Sequence, residues 1–225
     1  MKTLILSLQF SLLASANLLA QPKVDSSYRT TYYEQKVTMF NQLPNTKKEI
    51  IFLGDSITDI GAWDEIWGRK SVRNRGISGD NTFGILARLP EVTSSKPSKI
   101  FIMIGVNDIA KNTPDDIIVS NYKKILDNIR TASPSTKIIV QSILPTNNNF
   151  TDFKNHQNKT AHIDFVNNAL KKLCTEYGLV YVDLHSAFLD EEKKLNEKYT
   201  NDGLHINGFG YMKWKEILLQ KQLMK

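Results

Sequence analysis

Short apolar runs with almost no polar alternation, set apart by stretches of helical pattern, constrain this chain more than any other feature. They lie at Glu49 to Leu53, Lys99 to Ile104, Lys137 to Ile143 and Leu179 to Val182, and Val72 to Arg75 reads as a further short strand. A strand with one wet face alternates apolar and polar residues. A strand covered on both faces does not, and that is the pattern of a parallel sheet. Helical signals fill the gaps. Tyr28 to Leu43 ends before Pro44, and Thr82 to Leu89 is expected to stop at Pro90. Thr113-Pro114-Asp115-Asp116 starts a helix running to Ala132, with Thr113 as cap, proline in the first turn and acids at the positive dipole end. Lys159 to Tyr177 is closed by Gly178, and Asn207 to about Leu223 forms a final helix. With 225 residues, 41% of them hydrophobic, the chain can bury one sizeable core. The expectation is a single α/β domain over residues 21–225, a three-layer α/β/α sandwich around five parallel strands.

The formal charge of +6 would suit an acidic partner, but the lysines come as scattered pairs such as Lys47-Lys48 and Lys171-Lys172. No basic run marks a nucleic-acid site. The one cysteine, Cys174, rules out an intramolecular disulfide and shares helical spacing with Ile163, Val166, Leu170, Leu173 and Tyr177, as a buried thiol would. Residues 1–20 read as a secretory signal peptide, with Lys2, an apolar stretch from Leu4 to Leu13, and cleavage expected after Ala16 or Ala20. The stretch is interrupted by Ser7, Gln9 and Ser11 and is too short for a comfortable membrane span. Export to the periplasm or medium is expected, without stable membrane insertion.

In open parallel sheets, ligands bind beyond the carboxyl ends of the strands. Four polar, glycine-bearing segments fall there: Gly54-Asp55-Ser56, Asn74-Arg75-Gly76-Ile77-Ser78-Gly79-Asp80, Gly105-Val106-Asn107-Asp108 and Asp202-Gly203-Leu204-His205. A serine hydroxyl needs a base to become a nucleophile, and a histidine base needs a carboxylate to hold its tautomer. Ser56, His205 and Asp202 supply those groups. The N–H groups of Ser56 and Gly79 and the side-chain amide of Asn107 would form an oxyanion hole. Asp55 and Asp108 read as braces for nearby backbone. Gly-Ile-Ser-Gly at 76–79 approaches the Gly-x-Ser-x-Gly elbow, but position 80 is Asp and the motif fails.

These blocks resemble the SGNH hydrolase superfamily, the GDSL-type esterases and lipases. Ser56 stands in Gly-Asp-Ser-Ile, Gly79 in Asn-Arg-Gly-Ile-Ser-Gly-Asp, Asn107 in Gly-Val-Asn-Asp and His205 in Asp-Gly-Leu-His, and the likeness runs from about residue 49 to 212. The resemblance implies a flavodoxin-like sheet and ester hydrolysis without a metal or other cofactor. It also implies Ser56 as nucleophile, Gly79 and Asn107 as oxyanion donors, and Asp202 and His205 as the other triad members. Within the family, the chain is most similar to the acetylhydrolase-like branch.

Substrate is less legible. Trp63 and Trp67 are four apart and would share a helix face. Trp63 is expected as a sugar-stacking wall at the cleft mouth, with a packing role as the alternative. His156 and His162 are expected at the surface. Asp183 and His185 have the look of a metal pair but lack a third ligand at a telling spacing. The expected substrate is a small acyl ester, with acetyl groups on a glycan favoured. A lipase, thioesterase or lysophospholipase is the alternative, and a silent carbohydrate-binding module a further one. The oligomeric state is left open.

Overall fold

Burial on both faces accounts for the missing alternation. The computed structural model describes residues 24–225, so the expected export segment at 1–20 lies outside the described residues. In chain order come α1 (Thr31–Gln42), β1 (Ile50–Gly54), α2 (Ser56–Asp59), α3 (Trp63–Trp67), β2 (Val72–Gly76), α4 (Thr82–Ser94) and β3 (Lys99–Met103). These are followed by α5 (Val106–Ala110), α6 (Asp115–Ala132), β4 (Lys137–Gln141), a 3₁₀ turn at Lys154–His156, α7 (Thr160–Tyr177) and β5 (Val180–Val182). The chain continues through α8 (His185–Phe188), a second 3₁₀ turn at Glu197–Tyr199, and α9 (Gly208–Gln220). The five strands are all parallel, in the flavodoxin-like order β2-β1-β3-β4-β5.

Each helix that returns the chain to the next parallel strand must cross with a right-handed turn, which fixes its side of the sheet. Helices α4, α6 and α7 therefore pack side by side on one face. On the other, Phe52 of β1 stacks on Phe101 of β3 and on Trp63 of α3, and Trp214 of α9 closes the cluster edge-on. Every residue of β1 is buried, as are Ile100 to Met103 of β3 and Ile138 to Gln141 of β4.

Two helix boundaries differ from expectation. Helix α4 passes through Pro90 and ends at Ser94. Proline removes one N–H from the ladder, but Pro90 is exposed, so the loss falls on the side water can reach. Thr113 does not cap α6. Pro114 occupies the cap position without a side-chain bond, and Asp115 and Asp116 remain to complement the helix dipole. Cys174 is buried in the core, as expected. No helix among the described residues is long and apolar enough to cross a membrane.

Candidate active site

Strand β1 runs left to β2 and its neighbour β3 begins the rightward series, so the sheet order reverses between β1 and β3. Ser56 leaves the end of β1 and Asn107 follows β3, one on each side of that point. Asp55 is the cap of α2: its Oδ1 accepts the Ile57 N–H at 3.0 Å, which leaves Ser56 as the first helical residue with its own N–H unengaged among the described residues. The turn is tied down from outside. Tyr211 of α9 donates its hydroxyl to the Ile57 carbonyl, and Trp63 donates its indole N–H to the Thr58 carbonyl, both at 2.7 Å.

Trp63 is thus no cleft wall. It is 1% exposed and stacks on Phe52 with ring centroids 3.9 Å apart. Burying a ring of that size is worth about 4–6 kcal/mol in area terms, which a rim position would forfeit. The packing alternative is the one observed.

His205 reaches Ser56 from a loop that folds around Asp202. The loop is closed by an antiparallel bridge between Thr200 and Ile206, and Thr200 Oγ1 accepts the Gly203 N–H at 2.9 Å. Gly203 turns at φ +81°, and a Cβ there would lie 2.5 Å from the Asn147 carbonyl oxygen, so only glycine fits. Asp202 Oδ1 accepts the N–H groups of Leu204 (2.9 Å) and His205 (2.8 Å), and its Oδ2 accepts from His205 Nδ1 at 2.7 Å. Burial acts to raise the Asp202 pKa, but these donors outweigh it and hold the carboxyl below its ordinary value. With Nδ1–H committed to the carboxylate, Nε2 carries the lone pair. It lies 2.9 Å from Ser56 Oγ. Ser56, His205 and Asp202 therefore form one continuous hydrogen-bonded relay.

Gly79 follows β2 and Asn107 follows β3, the two strands on either side of β1. Gly79 adopts φ +81° while a Cβ there would meet nothing within 4 Å, so glycine is required for backbone conformation rather than for space. Its N–H, like that of Ser56, makes no hydrogen bond among the described residues. The preceding residue is pinned: Asp59 Oδ2 accepts both the N–H (3.1 Å) and the hydroxyl (2.8 Å) of Ser78. Asp59 also accepts from Tyr32 Oη and Lys36 Nζ, each at 2.7 Å, and burial together with Asp59 pushes Tyr32 up to about 12. Asn107 Nδ2 donates to the Asp80 carbonyl at 2.8 Å.

Beneath the site is a buried charged layer. Arg88, 2% exposed, pairs with Asp80 at 2.8 Å and donates to the carbonyls of Gly54 (3.2 Å) and Arg75 (2.9 Å), joining the ends of β1 and β2. Arg75 is itself buried in an ion pair with Glu91 at 2.6 Å. Asp108 accepts from the Thr82 N–H and hydroxyl. Burial raises Asp55 to about 7 and Asp108 to about 6, with their mutual repulsion and that of Asp80 adding to it for Asp55. Arg88 braces the strand ends, while Asp55 and Asp108 bond backbone N–H groups at the starts of α2 and α4.

Two residues of the site were not anticipated. His156, expected at the surface, is half-buried with its Nε2 2.9 Å from Asn107 Oδ1. Phe153, 43% exposed, sets its ring edge-on to His205 with centroids 4.8 Å apart. The only trace of either in the sequence is that they lie in the one roomy polar segment between blocks. His162 is exposed beside Asp115, as expected. Asp183 and His185 do not pair: Asp183 accepts from the N–H and hydroxyl of Ser186, and the carboxylate nearest His185 is Asp164, 3.8 Å away. Among the described residues, no three His, Cys, Asp or Glu side chains gather as a metal site.

Comparison with known proteins adds the following. A family model described as the GDSL-like Lipase/Acylhydrolase family matches residues 52–213, a span holding Ser56, Gly79, Asn107, Asp202 and His205. Platelet-activating factor acetylhydrolase IB subunit alpha2 of Homo sapiens is 28% identical over 171 residues, covering 73% of this chain and 72% of its own length. A structure from Streptococcus pneumonia, provisionally described as a platelet activating factor, superposes with a TM-score of 0.78 at 29% identity over 84% of this chain and 92% of that one. Axe2, an acetylxylan esterase from Geobacillus stearothermophilus solved as a catalytic mutant, shares the fold with a TM-score of 0.63 at 21% identity, covering 79% of this chain and 95% of that one.

Proposed function

The chain belongs to the GDSL-like lipase/acylhydrolase family, and on that premise we propose that it is a serine esterase removing small acyl groups, acetyl foremost, from carbohydrate hydroxyls. The observation that carries this reading is the unbroken relay from Ser56 through His205 to Asp202.

In the proposed reaction, Ser56 Oγ attacks the ester carbonyl and passes its proton to His205 Nε2. Asp202 stabilises the imidazolium that forms. The carbonyl oxygen gains a negative charge and meets the N–H groups of Ser56 and Gly79 and the Asn107 amide. Collapse breaks the bond to the leaving oxygen, which takes the proton from His205 and departs as an alcohol. Water, deprotonated by the same imidazole, then attacks the acyl-serine. Acetate leaves and Ser56 recovers its proton.

The lean to acetyl rests on two supports. A long acyl chain gains about 0.8 kcal/mol per methylene only if a groove buries it. The segments between the blocks are consumed by the strands and helices themselves. The relative named above as an acetylhydrolase points the same way. The lean to sugars rests on the 145–159 segment, with Asn148, Asn149 and the exposed ring of Phe153 beside His205. Export follows from the pattern of residues 1–20.

Hydrolysis of p-nitrophenyl esters of increasing acyl length, with Ser56→Ala as control, tests the reading. The expected kcat/KM is highest for acetyl and falls steeply by butyryl or hexanoyl, and Ser56→Ala abolishes turnover. An optimum at octanoyl or longer replaces the acetylesterase with a lipase. A largely active Ser56→Ala variant overturns the mechanism.

A further inference from the structure

We propose that His156 is a positioning residue that locks the side-chain amide of Asn107, so that one of its N–H bonds stays aimed at the oxyanion. This rests on the reading of Asn107 as an oxyanion donor.

The amide orientation follows from its partners. Asn107 Nδ2 lies 2.8 Å from the Asp80 carbonyl oxygen, which can only accept, so the nitrogen end must face it. The atom 2.9 Å from His156 Nε2 is then the amide oxygen, which can only accept in turn. His156 Nε2 must carry the proton. The tautomer is fixed by geometry, opposite to that of His205. Both ends of the amide are thereby held, and one N–H of Nδ2 is left over.

That restraint matters because the terminal torsion of asparagine is broad and roughly two-fold. An amide held only at Nδ2 can swing its spare N–H away from the developing charge. Donors that stabilise a transition state work because they are already in place.

The backbone that carries the imidazole is itself well held, while the ring's Nδ1 is buried without a hydrogen-bond partner among the described residues. His156 sits on the 3₁₀ turn Lys154–His156, which follows Phe153 at φ +50°. Thr146 Oγ1 donates to the His156 carbonyl at 3.1 Å, and Gln157 Nε2 donates to the carbonyls of Phe150 (2.8 Å) and Asp152 (2.9 Å). The turn packs against α5, which carries Asn107. Burial, helped by the nearby His205, keeps the His156 pKa below its ordinary value, in keeping with a neutral ring bearing one proton.

A double-mutant cycle tests this. Asn107→Ala is expected to lower kcat by about a hundred- to a thousandfold. His156→Phe keeps the ring's bulk but has no donor, and should lower kcat by about tenfold or more with KM within about twofold. His156→Gln places an amide N–H near the position of Nε2 and should restore most of the loss. In the Asn107→Ala background, His156→Phe should change kcat by less than about twofold, because nothing remains to orient. Should His156→Phe fold poorly, judged by circular dichroism, His156→Leu takes its place in the cycle. The proposal is overturned if the donor-less variant keeps full kcat, if it costs the same factor in both backgrounds, or if glutamine rescues nothing. If Asn107→Ala keeps full kcat, the oxyanion assignment goes as well; if it loses activity while the His156 variants do not, only this inference goes.

Discussion

Asp202→Asn replaces one atom and should nearly silence the enzyme. The Oδ1 position of Asp202 faces two backbone donors, the N–H groups of Leu204 and His205 at 2.9 and 2.8 Å. An amide placed there must present its oxygen to them, since the reverse would set N–H against N–H. Its nitrogen then faces His205 Nδ1, where the carboxylate stood at 2.7 Å. Nδ1 has to accept, so the imidazole proton moves to Nε2 and points at Ser56 Oγ. The histidine can no longer take the serine's proton. The same exchange in a serine-protease triad costs about ten-thousandfold in kcat, which corresponds to about 5 kcal/mol of transition-state stabilisation. The loop should survive, because both backbone bonds to Oδ1 are kept. Steady-state hydrolysis of p-nitrophenyl acetate gives kcat and KM, and thermal melting checks the fold. The expectation is a kcat lowered by about three to four orders of magnitude with the melting temperature nearly unchanged. An asparagine variant that folds normally and keeps more than about a tenth of wild-type kcat would refute the tautomer assignment.

Two further outcomes follow from the surroundings of the relay. Asp55 has a folded-state pKa raised from 3.8 to about 7, so the folded protein holds a proton that the unfolded chain has released; the stability this confers is present at low pH and is lost as pH rises from about 4 through 7. Asp55→Asn keeps the oxygen that caps α2, and its melting temperature should fall less between pH 5 and pH 8 than that of the wild type, whereas equal slopes would contradict the assignment. Phe153→Ala removes the aromatic surface beside His205. It should lower kcat/KM on an acetylated methyl glycoside by about two- to tenfold, the worth of one aromatic contact, and leave ethyl acetate unaffected; equal losses on both would move Phe153 out of the alcohol site.

The architecture was legible because parallel strands buried on both faces leave a mark in the sequence that few other arrangements leave. The relay was legible for a related reason. Ser56 sits directly at the end of β1, and Asp202 and His205 are three residues apart in a single loop before α9, close enough to pair. What could not be read depended on packing. A tryptophan four residues from another announces a helix face, but whether Trp63 turns toward the cleft or onto Phe52 is decided by Trp214, more than a hundred residues away. Similarly, His156 belongs to a segment without periodicity. Its approach to Asn107 depends on the Phe153 backbone and on side chains binding carbonyls within the loop, none of which a spacing rule encodes. Pro90 misled for a simpler reason: a proline stops a helix less surely when the carbonyl it orphans can find water.

The hydrogen bond between Ser56 and His205 joins residues 149 positions apart, and the bond from Tyr211 to the nucleophile turn spans 154. Contacts that distant form late, since the intervening chain must first be ordered. During synthesis the serine is therefore present long before any base can reach it, and before Tyr211 can tie down its turn. A hydroxyl without a base is nearly inert. Turnover thus requires the His205 loop and α9 to have docked, and the appearance of esterase activity during refolding would report that docking.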